Sequence, residues 1–300
     1  MPLEITNPMP EELEDTLRLA FAHVPDMERA FRIEGILAQF HAGTLSLEGI
    51  FQAKDGEHRV GALFSQIRSD GTVMLWTPTA IRSASVEPFF EPLERFCRAN
   101  DVLAAIALVD LGQSPQKSAL LEAKFEYLSD LLYLVLPLAE TEEGPPKREL
   151  RFLPMNEVGP EAFDRMVETV KITYKNTRDF PRLLHLLPVR NVLEGYRDNA
   201  PFHPELWFFV QKDGRNVGAL LLSLQPDDQI ELTYMGLAEE VRGSGHGREI
   251  VRFAVQEARR RHLAYLLTSV DDRNAAALRS YLTQGFRAWD RKNVYARFFD

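Results

Sequence analysis

Residues 241–250 read Val-Arg-Gly-Ser-Gly-His-Gly-Arg-Glu-Ile. Gly243, Gly245 and Gly247 alternate with Ser244 and His246, and Arg242 and Arg248 flank them. An amphipathic run follows, with Ile250, Phe253, Ala254 and Ala258 at helical spacing, so a helix is expected over 245–262. Glycines at a helix start let an anion approach the backbone without a Cβ in the way. The first N–H groups of the helix point outward, and the helix dipole favours negative charge there. Arg242 adds a fixed positive charge. The chemistry implied is the binding of a phosphate or pyrophosphate. A nucleotide P-loop is excluded because GxxxxGK[ST] is absent. A dinucleotide fingerprint is excluded because the third glycine comes one position too early for GxGxxG.

Two further stretches carry reactive side chains. Upstream, the apolar run Gln-Ile-Glu-Leu-Thr-Tyr-Met-Gly-Leu (229–237) holds Glu231. Downstream, Asn274, Ala277, Tyr281 and Gly285-Phe286 are spaced as Asn-x-x-Ala-x-x-x-Tyr-x-x-x-Gly-Phe. Taken alone, Glu231 is a solvated strand glutamate, Tyr281 a core aromatic and Asn274 a helix N-cap.

Together the three stretches resemble the GNAT acetyltransferase superfamily. Arg-x-x-Gly-x-Gly, from Arg242 through Gly245 to Gly247, is similar to that family's acyl-CoA pyrophosphate loop. The Asn274–Phe286 spacing matches the family at every position. The resemblance covers about 205–300 strongly and 150–204 weakly. It implies that residues 242–248 hold the pyrophosphate of acetyl-CoA, the co-substrate. It implies that Met235 and Leu237 offer backbone groups to the pantetheine arm, and that Asn274 bonds the pantetheine amides. His246 is expected to contribute its N–H. The resemblance further implies Glu231 as general base and Tyr281 as general acid toward the leaving thiolate. A base is needed because an alkylamine has a pKa of about 10.4 and must lose a proton to attack, and the leaving thiolate benefits from a proton. Period-two alternation places Glu231, Thr233 and Met235 on one strand face.

The elements that would position these residues can be read around them. Helices are expected at 158–173, 189–196 and 274–285, the last ending at Gly285. A hairpin is expected at 205–225, strands at 229–237 and 264–270, and a final strand at the C-terminus. Lys-Asp-Gly-Glu-His-Arg-Val-Gly-Ala-Leu-Phe-Ser (54–65) resembles Lys-Asp-Gly-Arg-Asn-Val-Gly-Ala-Leu-Leu-Leu-Ser (212–223), and residues 108–125 line up with 269–286 in the same order. Two tandem GNAT folds of the α/β (α+β) class are therefore expected, each a mixed central sheet flanked by helices. The architecture is similar to the mycothiol synthase type of double GNAT protein. The expected domains are a degenerate N-terminal copy over 1–140, a linker at 141–150 and an active C-terminal copy over 151–300. In the first copy Gln113 stands for Asn274 and Leu120 for Tyr281, and residues 77–90 contain no glycine. That copy is expected to keep the fold without binding CoA.

Composition sets outer limits. The chain has 300 residues, 45% hydrophobic and 26% charged, with a net charge of −9. That balance disfavours broad nucleic-acid binding. No apolar run suits a membrane span, and the single Cys97 lies in an amphipathic stretch that reads as core. The seven histidines show no metal-ligand spacing, so no metal is expected. The acid pairs Asp227-Asp228 and Asp271-Asp272 read as solvated turns. The expectation is a cytoplasmic N-acetyltransferase acting on a small-molecule primary amine by direct transfer. No nucleic acid or membrane partner is expected, and a homodimer is left open. The competing readings are a non-catalytic acyl-CoA sensor or scaffold and a nucleotide-phosphate binder. Residues 172–205, where acceptor selection is expected, carry no readable motif.

Overall fold

The computed structural model describes residues 3–81, 85–140, 149–198 and 201–299. The chain falls into two compact units: Met1–Leu128 with Lys292–Asp300, and Ser129–Arg291.

In the first unit the elements run β1 (Glu4–Thr6), α1 (Leu13–Ala20), α2 (Asp26–His41), β2 (Ile50–Asp55), β3 (His58–Ile67), β4 (Thr72–Ala80), α3 (Phe90–Ala99), β5 (Ala104–Asp110), α4 (Ser114–Glu122) and the start of β6 (Glu126–Pro137). In the second unit the rest of β6 is followed by β7 (Arg151–Pro154), α5 (Ala162–Tyr174), α6 (Pro181–Leu186), α7 (Val189–Asp198), β8 (Trp207–Lys212), β9 (Arg215–Gln225), β10 (Gln229–Leu237), α8 (His246–Arg260), β11 (Tyr265–Asp271), α9 (Ala275–Leu282) and β12 (Arg287–Phe298), whose last residues return to the first unit.

The two units repeat one plan. Each has an antiparallel hairpin, a strand antiparallel to it, and a parallel neighbour reached through a helix. The parallel pairs are β4 with β5 and β10 with β11. Both sheet faces are covered, which requires near-continuous apolar strands such as the buried run Ala219, Leu220, Leu221 and Leu222 in β9. In the second unit one face packs Ile230, Leu232, Ile250, Ala254, Ala258 and Leu266. The other face packs Met166, Val170, Tyr174, Leu193, Phe209 and Leu221. The tandem α/β reading from the sequence is the fold observed.

The boundaries differ from the sequence expectation. Residues Leu131–Pro137 of β6 pair antiparallel with β11, as Asp271↔Leu131 through Tyr265↔Pro137. Residues Lys292–Phe298 of β12 pair antiparallel with β5. Each half of the chain thus supplies the closing strand of the other half's sheet. Leu134 and Leu136 are buried in the second unit's core, and Tyr295 in the first unit's. Burying such a side chain stabilises by about 1.5–3 kcal/mol, which is why the strands stay where their apolar faces are covered. A cut at 140/151 therefore does not separate the units. Of the expected linker, residues 141–148 lie outside the described residues.

Candidate active site

β10 carries the candidate base. It pairs with β9 along its length, but its parallel pairing with β11 covers only Gln229–Leu232 against Tyr265–Thr268. Beyond that point the two strands fork, and the β10 backbone from Thr233 to Leu237 has no partner in β11. At the fork the Thr268 hydroxyl donates to the Leu232 carbonyl, 3.0 Å away.

A β-bulge lies in β10 between Leu232 and Tyr234. The extra residue, Thr233, changes which face later residues occupy. Ile230, Leu232, Met235 and Leu237 pack into the core beneath α8 and α9, whereas Tyr234 packs on the α5 face. Met235 is therefore not on the face of Glu231, as simple alternation had it. Glu231 and Thr233 do share a face. The Gln225 amide donates to the Glu231 carboxylate at 3.1 Å, and Ser223 and Thr233 share a hydrogen bond of 2.7 Å. Burial pushes the Glu231 pKa up, the direction a general base needs.

Gly236 in β10 has a steric reason. A Cβ there would lie 2.4 Å from the Tyr234 hydroxyl and 2.6 Å from the Thr173 hydroxyl. α5 thus sits hard against β10 at the fork.

The glycine loop enters α8. Gly243 (φ 82°) and Gly245 (φ 87°) adopt the left-handed conformation that favours glycine. Gly245 is the N-cap, and among the described residues no side chain caps the helix. The loop is open around Gly243 and Gly245, since a Cβ on either would meet nothing within 4 Å. Gly247 faces α9 instead: a Cβ there would lie 3.3 Å from the Ser280 hydroxyl. Ser244 and Arg248 are exposed, and among the described residues the Arg248 guanidinium has no partner.

Two loop side chains have partners within the protein. The Arg242 guanidinium donates to three carbonyls, those of Leu237 (2.8 Å), Thr173 (2.7 Å) and Asn176 (3.1 Å). Three of its five N–H donors join the end of β10 to the end of α5, so it clamps these elements together. The His246 ring is 2% exposed and turned inward, 3.0 Å from the Lys212 amine. Lysine can only donate, so Nε2 accepts. His246 offers the loop its backbone N–H alone.

Asn274 caps α9, accepting from the Ala277 N–H at 3.3 Å. Tyr281 is buried, with its ring 5.4 Å from that of Phe286. The Thr268 hydroxyl, bonded to the Leu232 carbonyl at the base of the fork, also acts on the Tyr281 phenol. Burial raises the Tyr281 pKa, keeping the phenol protonated.

Asp271 departs from expectation. It is fully buried, held by Ser129, by the Arg273 N–H (2.9 Å) and by the Phe180 N–H (3.1 Å). Its own N–H donates to the carboxylate of Asp179 at 3.3 Å. Asp179 lies in the α5–α6 connection, and sequence reasoning missed it. The only local signal is Asp-Phe-Pro at 179–181, which marks a chain turn without a role. The other acid pair, Asp227 and Asp228, is a turn with both residues left-handed. Cys97 is buried in the first unit's core, its thiol pushed up to about 12 by burial, so it is no nucleophile. Among the described residues no group of His, Cys, Asp or Glu is placed to hold a metal ion, and no helix is long and apolar enough to cross a membrane.

Residues 173–286, from the end of α5 through the fork and loop to Phe286, match the model of the acetyltransferase (GNAT) family. The part of the chain that holds the fork and the loop is similar to that family. A mycothiol acetyltransferase of Thermomonospora curvata is 32% identical over 85 residues, which are 28% of this chain and 29% of the relative. Over the whole length the fold is similar to that of a GCN5-related N-acetyltransferase from Sphaerobacter thermophilus, with TM-score 0.64 and 14% identity over 99% of this chain and 95% of that one. It is also similar to a tandem GNAT protein from the clavulanic acid biosynthesis pathway, with TM-score 0.54 and 13% identity over 99% and 98% of the two chains.

Proposed function

We propose that the protein is a cytoplasmic N-acetyltransferase that moves an acetyl group from acetyl-CoA to a small-molecule primary amine. The observation that carries this reading is the fork: β10 parts from β11 beside an uncapped, glycine-led helix start, with the Tyr281 hydroxyl at its base. An extended thioester fits those features, with N–H groups for its phosphates and an unpaired strand edge for its amides.

The residues that would hold acetyl-CoA are the backbone of 243–248, the Arg248 side chain, the open edge of β10 at Met235 and Leu237, and the side-chain amide of Asn274. Acetyl-CoA supplies a thioester whose C–S bond breaks as the new C–N bond forms. Glu231, its pKa raised by burial, takes the proton the amine must lose. Tyr281, kept neutral by burial, offers its proton where the thiolate departs. Among the described residues no nucleophile is placed for a covalent route, which favours direct transfer in a ternary complex.

The first copy retains the fork, since β4 pairs with β5 only over Thr72–Leu75. The turn leading into α3 carries Glu87 and Pro88, an acid and a residue without an N–H. That suits a scaffold and opposes a second CoA site.

The test is thiol release from acetyl-CoA across a panel of primary amines, beside the Glu231→Gln, Tyr281→Phe double variant. Amine-dependent release lost in the double variant supports the reading. Acetyl-CoA binding with no release on any amine favours the sensor alternative.

A further inference from the structure

Past Leu232 and Thr268 the prongs of the fork part: β10 continues to Leu237 and β11 to Asp271. The α5–α6 connection is anchored to both. At the β10 prong, the Arg242 guanidinium joins the Leu237 carbonyl to those of Thr173 and Asn176. There the Asn176 amide also donates to the Glu239 carboxylate at 2.6 Å, and Lys175 pairs with the same carboxylate at 2.9 Å. At the β11 prong, the Phe180 N–H donates to the Asp271 carboxylate at 3.1 Å, and the Asp271 N–H donates to the Asp179 carboxylate at 3.3 Å. Residues 176–179 therefore form a strap from one prong to the other. Three peptide links reach at most about 11 Å, so the strap limits how far the prongs can part.

The strap crosses on the side of the candidate base. Glu231 lies opposite Leu267 in the parallel ladder. Leu267, Ser269 and Asp271 alternate onto that face, while Leu266 and Val270 enter the core on the other. Asp271 and Glu231 thus share one face of the sheet.

Polar anchors hold the strap, because Lys175, Asn176 and Arg178 are exposed and bury little apolar surface. Both of its ends are left-handed, at φ 52° for Asn176 and φ 38° for Phe180. Asparagine tolerates that region, but phenylalanine stays there only where its surroundings hold it. The Phe180 anchor is Asp271, which is fully buried. Its carboxylate is fixed in turn by the Ser129 hydroxyl, the Arg273 N–H at 2.9 Å and the Arg273 guanidinium at 3.5 Å. Apolar packing would close this corner at lower cost, whereas a carboxylate with several fixed donors sets a position.

We propose that Asp271 is a positioning residue for the acceptor: it holds the strap across the mouth of the fork, where the strap walls the site in which the amine meets Glu231. This rests on the acetyl-transfer reading and adds the residue that sets the geometry of its acceptor side.

The test uses the full chain, acetyl-CoA and the primary amine that wild type turns over best. Asp271→Asn keeps one oxygen for Ser129 and the Arg273 N–H but turns an NH2 toward the Phe180 N–H, so only the strap loses its anchor. Hydrogen exchange at the Phe180 amide should speed up. The KM for the amine should rise about 10-fold, the value of a lost hydrogen bond to a charged group, with kcat changed far less and the acetyl-CoA thermal shift intact. Asp179→Ala removes the reciprocal bond and should raise the amine KM in the same direction. Ser129→Ala is the structural control: it takes a different partner from the same carboxylate, so it should lower the melting temperature and leave the amine KM unchanged. An unchanged KM in both Asp271→Asn and Asp179→Ala, or an equal rise in Ser129→Ala, would overturn the proposal alone. No turnover of any amine by wild type would sink the acetyl-transfer reading and the proposal with it.

Discussion

The Gln225 amide holds the Glu231 carboxylate from the neighbouring strand, 3.1 Å away. The contact orients the carboxylate without neutralising it, and burial keeps its proton affinity high. Glu231→Gln preserves an acceptor for that amide and removes the base. The expected result is a kcat lower by about 10²–10⁴ with no loss of melting temperature. In the wild type, the acid limb of the kcat–pH profile should lie above the ordinary glutamate range. A variant with undiminished kcat would remove Glu231 from the mechanism.

Gly247→Asp places a carboxylate in the first turn of α8. The nearest obstacle is the Ser280 hydroxyl at 3.3 Å, the end of a side chain that can turn away. The helix dipole favours an acid there by about 0.3–1 kcal/mol, so the unliganded variant should melt near the wild type. Its acetyl-CoA-induced shift should vanish, because the new charge repels a phosphate. A retained shift would place acetyl-CoA away from the loop.

Arg242→Gln tests the clamp. Losing the guanidinium strands carbonyls of Leu237 and Thr173, so unfolding in urea should show a loss of about 2–3 kcal/mol. If Arg242 were instead a phosphate ligand, stability would hold and only acetyl-CoA affinity would fall.

Stability should also depend on pH through Asp179. Burial first, and then the neighbouring Asp271 carboxylate, raise its pKa from 3.8 to about 6. Asp271 donates its N–H to it, and among the described residues no cationic side chain is paired with it. A raised carboxylate pKa means the fold prefers the protonated form. Its stabilising contribution is full below pH 3.8 and is lost as pH rises through about 6. The loss should be roughly 1–3 kcal/mol. Asp179→Asn should flatten that part of the profile and melt higher than wild type at neutral pH. Parallel profiles for the two proteins would count against the burial argument.

The tandem plan, the glycine loop and the Tyr281 helix were legible because each rests on local spacing. What escaped the sequence depends on partners far along the chain. Arg242 looks like a phosphate ligand until the Thr173 carbonyl, 69 residues away, takes its donor. Asp271 looks solvated until Ser129 and Phe180, 142 and 91 residues away, enclose it. Met235 changes face because of one bulged residue, Thr233, which leaves no compositional mark. Asp179 has no motif, and its contact with the Asp271 N–H spans 92 residues.

The exchanged strands bear on how the chain is made. During synthesis the first 128 residues leave the ribosome long before Lys292–Phe298, the strand that covers the edge of β5. That edge is an unsatisfied template for stray pairing while it waits. The N-terminal unit therefore cannot finish folding until residues 292–298 have been made. A nascent chain truncated before Lys292 should expose β5 to proteolysis and aggregation even though all of β1–β5 is present.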